Sequence, residues 1–154
     1  FDGTIKENIS YPKSNYTMDE VVSAAKKSQA HEFISALPHG YNTEIGERGQ
    51  KLSVGQKQRI GIARAIIKKP TIFIFDEATS NVDNETEQLI QKALLEIAQN
   101  HTLIVIAHRL STIRQADHII VLGNQSILES GNHNKLINTK GLYSHLWSIQ
   151  TGGG

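Results

Sequence analysis

Apolar residues recur with a helical period up to Pro70, and beyond it short continuous apolar runs alternate with helical stretches. Thr17 followed by Glu20 is a capping-box pattern, and Val21, Val22, Ala24 and Ala25 supply the apolar side of a helix reaching Ser28. A second short helix is expected from His31 to Leu37, stopped by Pro38 and Gly40. Residues 41–51, with Gly46-Glu47-Arg48-Gly49 among them, read as a loop. Ser53 and Gln56 repeat the capping box. Ile60, Ala63 and Ile67 then recur on one face of a helix that Pro70 ends.

The second half predicts strands at 71–75, 102–107 and 118–122, with an amphipathic helix over 84–99 that turns Leu89, Ala93, Leu94 and Ile97 inward. A short helix fits 111–115. Gly123-Asn124 reads as a two-residue turn into 125–129, closing a hairpin, and 132–149 finishes as one or two short helices. Strands alternating with helices, the first two continuously apolar, indicate an α/β fold: a mostly parallel sheet covered by helices on both faces, beside a helical subdomain. The division expected is a helical subdomain over 1–70, a core part over 71–149, and a disordered tail at 150–154.

Composition narrows the classes. The 154 residues are 38% hydrophobic and 20% charged, which excludes gross disorder. Lys plus Arg number 16 against 15 Asp plus Glu, a net charge of +1 that argues against a dedicated nucleic-acid binder. Cysteine is absent, so no disulfide or thiolate metal site exists in the chain. The apolar runs are too short to span a bilayer, and no signal peptide is evident. The start at Phe1 without a Met, and the closing glycines, read as a segment cut from something longer.

Three places carry chemistry. Ile72-Phe73-Ile74-Phe75 runs into Asp76 and Glu77, placing two carboxylates at the carboxyl end of a central strand, where open α/β sheets bind ligands. Asp76 there can hold Mg²⁺ through water, and Glu77 can polarise a water for attack on a phosphoryl group; the plainer reading is that both merely open a loop. Leu52-Ser53-Val54-Gly55-Gln56 opens a helix whose free N–H groups suit a terminal phosphate, though Ser53 serves equally as a plain N-cap. His108 follows the second apolar strand at the same sheet edge and can donate to a phosphate oxygen; alone, it is as readily a surface residue.

Together, in this order, these motifs resemble the nucleotide-binding domain of ATP-binding cassette transporters. Leu52–Gln56 is similar to the signature motif, Ile72–Glu77 to the Walker B strand with its catalytic glutamate, Ser80-Asn81-Val82-Asp83 to the D-loop, and His108 to the switch histidine. Residues 1–9 resemble the segment after the Q-loop of exporters. Thr43-Glu44-Ile45-Gly46-Glu47-Arg48-Gly49 resembles the exporter loop that touches the membrane domain, and Glu129-Ser130-Gly131-Asn132-His133 the opening of the last helical segment. Val54 stands where the family commonly has Gly, and Asn81-Val82 where Ala-Leu is commoner. No G-x-x-x-x-G-K-[ST] occurs, so the P-loop NTPase-like core is incomplete in these residues.

The resemblance implies ATP and Mg²⁺ as cofactors and a head-to-tail dimer with a second nucleotide-binding domain. Leu52, Ser53, Val54, Gly55 and Gln56 would meet the partner's ATP, Asp76 would hold the metal, Glu77 and His108 would serve the domain's own nucleotide, and Asp83 would link the two sites. It also implies a transmembrane partner reached through Thr43–Gly49, a position at the cytoplasmic face of a membrane, and ATP hydrolysis driving export. The segment alone is expected to be inactive. Two other readings stay open: a chromosome- or repair-type ATPase on the same core, against which stands the lack of heptads before Lys51, and a non-catalytic docking module.

Overall fold

A computed structural model describes residues 2–13, 15–46, 51–76, 82–107 and 109–152. Glu47–Gly49 of the exporter-like loop, Glu77, Ser80, Asn81 and His108 lie outside the described residues. The chain divides into two compact units, one formed by 1–75 with 79–104, the other by 76–78 with 105–154.

The first unit opens with a helix that the sequence reading did not separate out, α1 (Ile5–Ser10), started by a Thr4/Glu7 capping box. Next come α2 (Met18–Lys27), capped by Thr17 and Glu20 as expected, and α3 (His31–Ser35). A 3-10 turn at Gly40–Asn42 breaks the expected loop, and the chain then pairs back on the start: Ile5 N–H donates to Thr43 O at 3.0 Å and Ile45 N–H to Gly3 O at 3.1 Å. Ile5, Ile9, Val21, Ala25, Ile34 and Ala63 are fully enclosed in the cluster these elements share with α4 (Val54–Ile66).

The expected apolar face of α4, Ile60, Ala63 and Ile67, sits in that cluster. The helix has a second apolar side. Ile62, two positions (~200°) round from Ile60, packs with Phe73 of β1 (Ile72–Asp76) and with Ile90, Ala93, Leu94 and Ile97 of α5 (Asn84–Ala98). Because α4 serves both clusters, α5 packs with the helices in the first compact unit. On α5 the inward residues follow the i, i+3, i+4, i+7 series from Ile90, so Ile90 takes the buried place expected of Leu89, which is half-buried.

Polar bonds tie the helices together over long sequence distances. Arg64 of α4 donates from Nε to Asn8 O at 2.5 Å and from its terminal nitrogen to Asn8 Oδ1 at 3.1 Å, satisfying the carboxyl end of α1.

β1 pairs with β2 (Thr102–Ile106) across the α5 crossover, their starts side by side, Thr102 N–H donating to Thr71 O at 3.3 Å, which is the parallel arrangement expected. Continuous apolar runs led to the expectation of strands covered on both faces. Only one face is covered. Phe73 is buried and Leu103 packs beside it, whereas Ile72, Ile74 and Ile104 are 55%, 70% and 48% exposed. Successive strand residues point to opposite faces, and among the described residues no element covers the second face.

In the second unit, α6 (Leu110–Ile113) precedes the antiparallel hairpin of β3 (Ile119–Gly123) and β4 (Ser126–Gly131). Its turn lies one residue later than expected: Asn124 and Gln125 both have positive φ, 50° and 60°, between the paired Gly123 and Ser126. Asn132 caps α7 (His133–Asn138), and α8 (Leu142–Thr151) takes its N-terminal acceptor from elsewhere, the Glu129 carboxylate receiving the N–H groups of Leu142 and Tyr143. Gln150 and Thr151, assigned to a disordered tail by the sequence reading, are helical: Gln150 Oε1 accepts from Leu110 N–H at 2.9 Å, and left-handed Gly152 closes the helix.

Candidate functional site

The five residues Leu52–Gln56 fold as a helix start. Leu52 is anchored in the helical core at 8% exposure. Ser53 is the N-cap of α4; its Oγ accepts from Gln56 N–H at 3.2 Å, while Gln56 Oε1 accepts from Ser53 N–H at 3.0 Å. Both readings of Ser53 are therefore compatible. An accepting hydroxyl keeps its own proton for a further acceptor. The N–H groups of Val54 and Gly55, in the first turn, have no acceptor within the helix, and the helix dipole adds partial positive charge there. Val54 is exposed at this end, and Gly55 is buried.

Two residues missed by the sequence reading hold this helix start. Arg59, itself nearly buried, donates from Nε to Gly55 O at 3.3 Å and from a terminal nitrogen to Gln29 O at 2.8 Å, with its guanidinium 4.9 Å above the Phe33 ring. Burial pulls its pKa down, and the nearby carboxylates of Asp83, Glu32 and Glu85 push it back up. Thr86 of α5 is the other. It lies against Gly55, and its hydroxyl and N–H both bond to Asp83. In the sequence Arg59 is one charged residue among several in the helix and Thr86 one polar residue in another, so neither carried a signal.

Asp83 is the N-cap of α5, accepting from Thr86 N–H at 2.9 Å on one oxygen and from Thr86 Oγ1 at 2.8 Å on the other. Those two bonds hold its carboxyl below the usual aspartate range. The structure thus brings Gly55 and Asp83 into one neighbourhood through Thr86. Asp76 ends β1 as an exposed carboxylate. Among the described residues no group of three or more His, Asp or Glu forms a ready-made metal cage.

The exporter-like loop is described only over Thr43–Gly46. Ile45 is 4% exposed and, with Thr43, is tied to residues 3–5. Just before it, burial pushes the Tyr41 hydroxyl up to about 12, and that hydroxyl is 2.9 Å from His31 Nδ1.

Comparison with known proteins decides the family. The ABC transporter family model matches residues 2–80, about half of the chain. The chain belongs to the ABC transporter family. It is 56% identical over 151 residues to ABC transporter B family member 15 of Arabidopsis thaliana, spanning 97% of this chain but 12% of that protein. A multidrug export ATP-binding/permease protein of Staphylococcus aureus is 53% identical over 150 residues, 97% of this chain and 26% of that protein. Among solved structures, a bacterial Atm1-family ABC exporter with ATP bound aligns with a TM-score of 0.89 at 46% identity, covering 98% of this chain and 27% of that one. The chain therefore spans about an eighth to a quarter of the relatives it matches. Membership of the family implies ATP as the bound nucleotide. These relatives are named for transport and export, which gives the DNA-acting alternative no support. No helix among the described residues is long and apolar enough to cross a membrane.

Proposed function

We propose that these residues form part of the ATP-hydrolysing domain of an ABC exporter, with the P-loop supplied by sequence outside them. The observation that carries the reading is the start of α4: a capped helix of 13 residues whose first-turn N–H groups at Val54 and Gly55 have no acceptor within the helix, and a Ser53 hydroxyl that accepts from Gln56 N–H and can still donate. That end is built to receive an anion. In the head-to-tail pairing proposed, Ser53, Gly55 and Gln56, with Leu52 and Val54 shaping the turn, contact the γ-phosphate of ATP held by the partner domain.

Residues 1–70 act as the helical subdomain and 71–149 as the core part. Asp76 holds Mg²⁺, which when bound neutralises phosphate charge. Glu77 orients and deprotonates the attacking water, His108 donates to the γ-phosphate, and Asp83 connects the two sites of the dimer. The loop 43–49 carries closure of the pair to a membrane domain, which sets the domain at the cytoplasmic face.

The test uses complete domains, with a P-loop segment joined ahead of residue 1. One partner carries Ser53→Arg, the other a disabled P-loop. If the signature works in trans, neither pairs with itself on ATP, and their mixture forms one intact composite site and a heterodimer by size-exclusion chromatography. No gain in the mixture means Ser53 acts only as a helix cap. In the same domain, Glu77→Gln is expected to lower turnover by about 100-fold or more while ATP still drives pairing.

A further inference from the structure

Gly55 has helical backbone geometry, so its conformation does not require glycine. Space does. A Cβ at this position would lie 2.0 Å from Thr86 Cγ2, 3.2 Å from Thr86 Cβ and 3.4 Å from Thr86 Oγ1. The missing side chain thus points at this chain's own α5.

Thr86 cannot simply rotate away. Its N–H and its Oγ1 are bonded to the two oxygens of Asp83, at 2.9 and 2.8 Å. With the hydroxyl fixed there, the branched Cβ leaves the methyl one place to go, and that place is the face of Gly55. A run of contacts therefore joins the signature helix, the threonine methyl, the threonine hydroxyl and the D-loop carboxylate.

We infer that Thr86 is a positioning residue: by seating its methyl on Gly55 while its hydroxyl holds Asp83, it fixes the phosphate-facing start of α4 and the Asp83 carboxylate as one piece. The inference rests on the reading that this helix start contacts the partner's ATP. It assigns Gly55 a second reason to be glycine, one internal to the subunit. A displacement of Asp83 would be passed through Thr86 to the start of α4.

A double-mutant cycle in the complete domain tests this. Gly55→Ala forces a 2.0 Å carbon–carbon separation open to ordinary van der Waals distance and displaces the helix start. Turnover and ATP-dependent pairing are expected to fall about 10- to 100-fold, as for a misplacement on the ångström scale, while ATP binding by the isolated domain's own P-loop stays the same. Thr86→Ser removes the clashing methyl and keeps the hydroxyl on Asp83; by itself it is expected to lower turnover by about two- to threefold. In the Gly55→Ala background Thr86→Ser is expected to restore turnover about tenfold or more, because the remaining contacts of 3.2 and 3.4 Å are relieved by a shift of a few tenths of an ångström.

If the double variant is no better than Gly55→Ala, the alanine methyl harms phosphate contact directly, and the inference about Thr86 is overturned while the trans reading of Ser53 stands. Unaltered pairing and turnover in Gly55→Ala overturns it as well. If Gly55→Ala does not fold, the melting temperature of the double variant reads the same contact: recovery supports the seating of Thr86 on Gly55, and no recovery rejects it. Failure of the Ser53→Arg mixing experiment, by contrast, removes the trans reading itself and leaves the packing cycle to report on stability alone.

Discussion

The helical cluster and most of the β1–β2 pair sit in the same unit and are both apolar in sequence, yet they end differently. In the cluster of α1, α2 and α4, Ile5, Ile9 and Val21 are fully enclosed by partners from this chain. On β1 and β2, Ile72, Ile74 and Ile104 face outward while Phe73 on the opposite face is buried. Helices bury a stripe, and three of them close a core among themselves. A strand that is apolar on both faces needs two separate layers, and α5 and α4 provide one. The contrast separates what this segment stabilises unaided from what it offers to a covering layer.

The largest effect should come from breaking the enclosed side. Ile9→Ala is expected to destabilise the chain by about 2–5 kcal/mol, through lost burial and the cavity left behind, read as a lower urea midpoint at unchanged slope. A loss below about 0.5 kcal/mol would mean the helical cluster is no more self-sufficient than the sheet.

An intermediate effect is expected from acid. Bonds to Thr86, Thr4 and Thr17 hold Asp83, Glu7 and Glu20 below the ordinary carboxylate range, each at the start of a helix. A carboxyl with a lowered folded-state pKa contributes stability above its unfolded pKa and loses it as pH falls through the lower folded value. Acid titration followed by circular dichroism should therefore show helix loss below the ordinary carboxylate range, where these caps become protonated. Asp83→Asn, which keeps a capping oxygen but does not titrate, should flatten that dependence. A titration curve unchanged by Asp83→Asn would show that the α5 cap contributes nothing to it.

The smallest effect on stability should come from the open face. Ile74→Lys is expected to alter the urea midpoint by no more than about 0.5 kcal/mol, while lowering dye binding and self-association of the chain. A loss as large as that of Ile9→Ala would show that this face is covered after all.

What could be read in the sequence was whatever local chemistry decides. The capping boxes at Thr17/Glu20 and Ser53/Gln56 mark helix starts because donor and acceptor lie three residues apart. Thr4/Glu7 bears the same mark at the start of α1. The hairpin was legible too, although positive φ at both Asn124 and Gln125 moved its turn by one residue. What the sequence did not show was set by distant partners. Nothing near Ile62 announces that α4 has a second apolar side, since Phe73, Ile90 and Leu94 lie further along the chain. The pairing of residues 3–5 with 43–45 is equally non-local. At the candidate site, Leu52–Gln56 reads as a helix start suited to a phosphate. That a Cβ at Gly55 would strike Thr86 depends on how α4 and α5 cross, which no spacing rule supplies.

The grip of Arg64 on Asn8 bears on when the molecule assembles. A helix of six residues such as α1 is far below the length that persists alone in water. Its carboxyl end is satisfied by a guanidinium 56 residues downstream, and its start is paired with residues 43–45. The short α1 therefore depends on elements made after it: α2 and α4 supply the surface it packs on, and docking it closes a long loop at an entropic cost that grows only slowly with its length. Within these residues, α1 is translated before the elements that hold it in place.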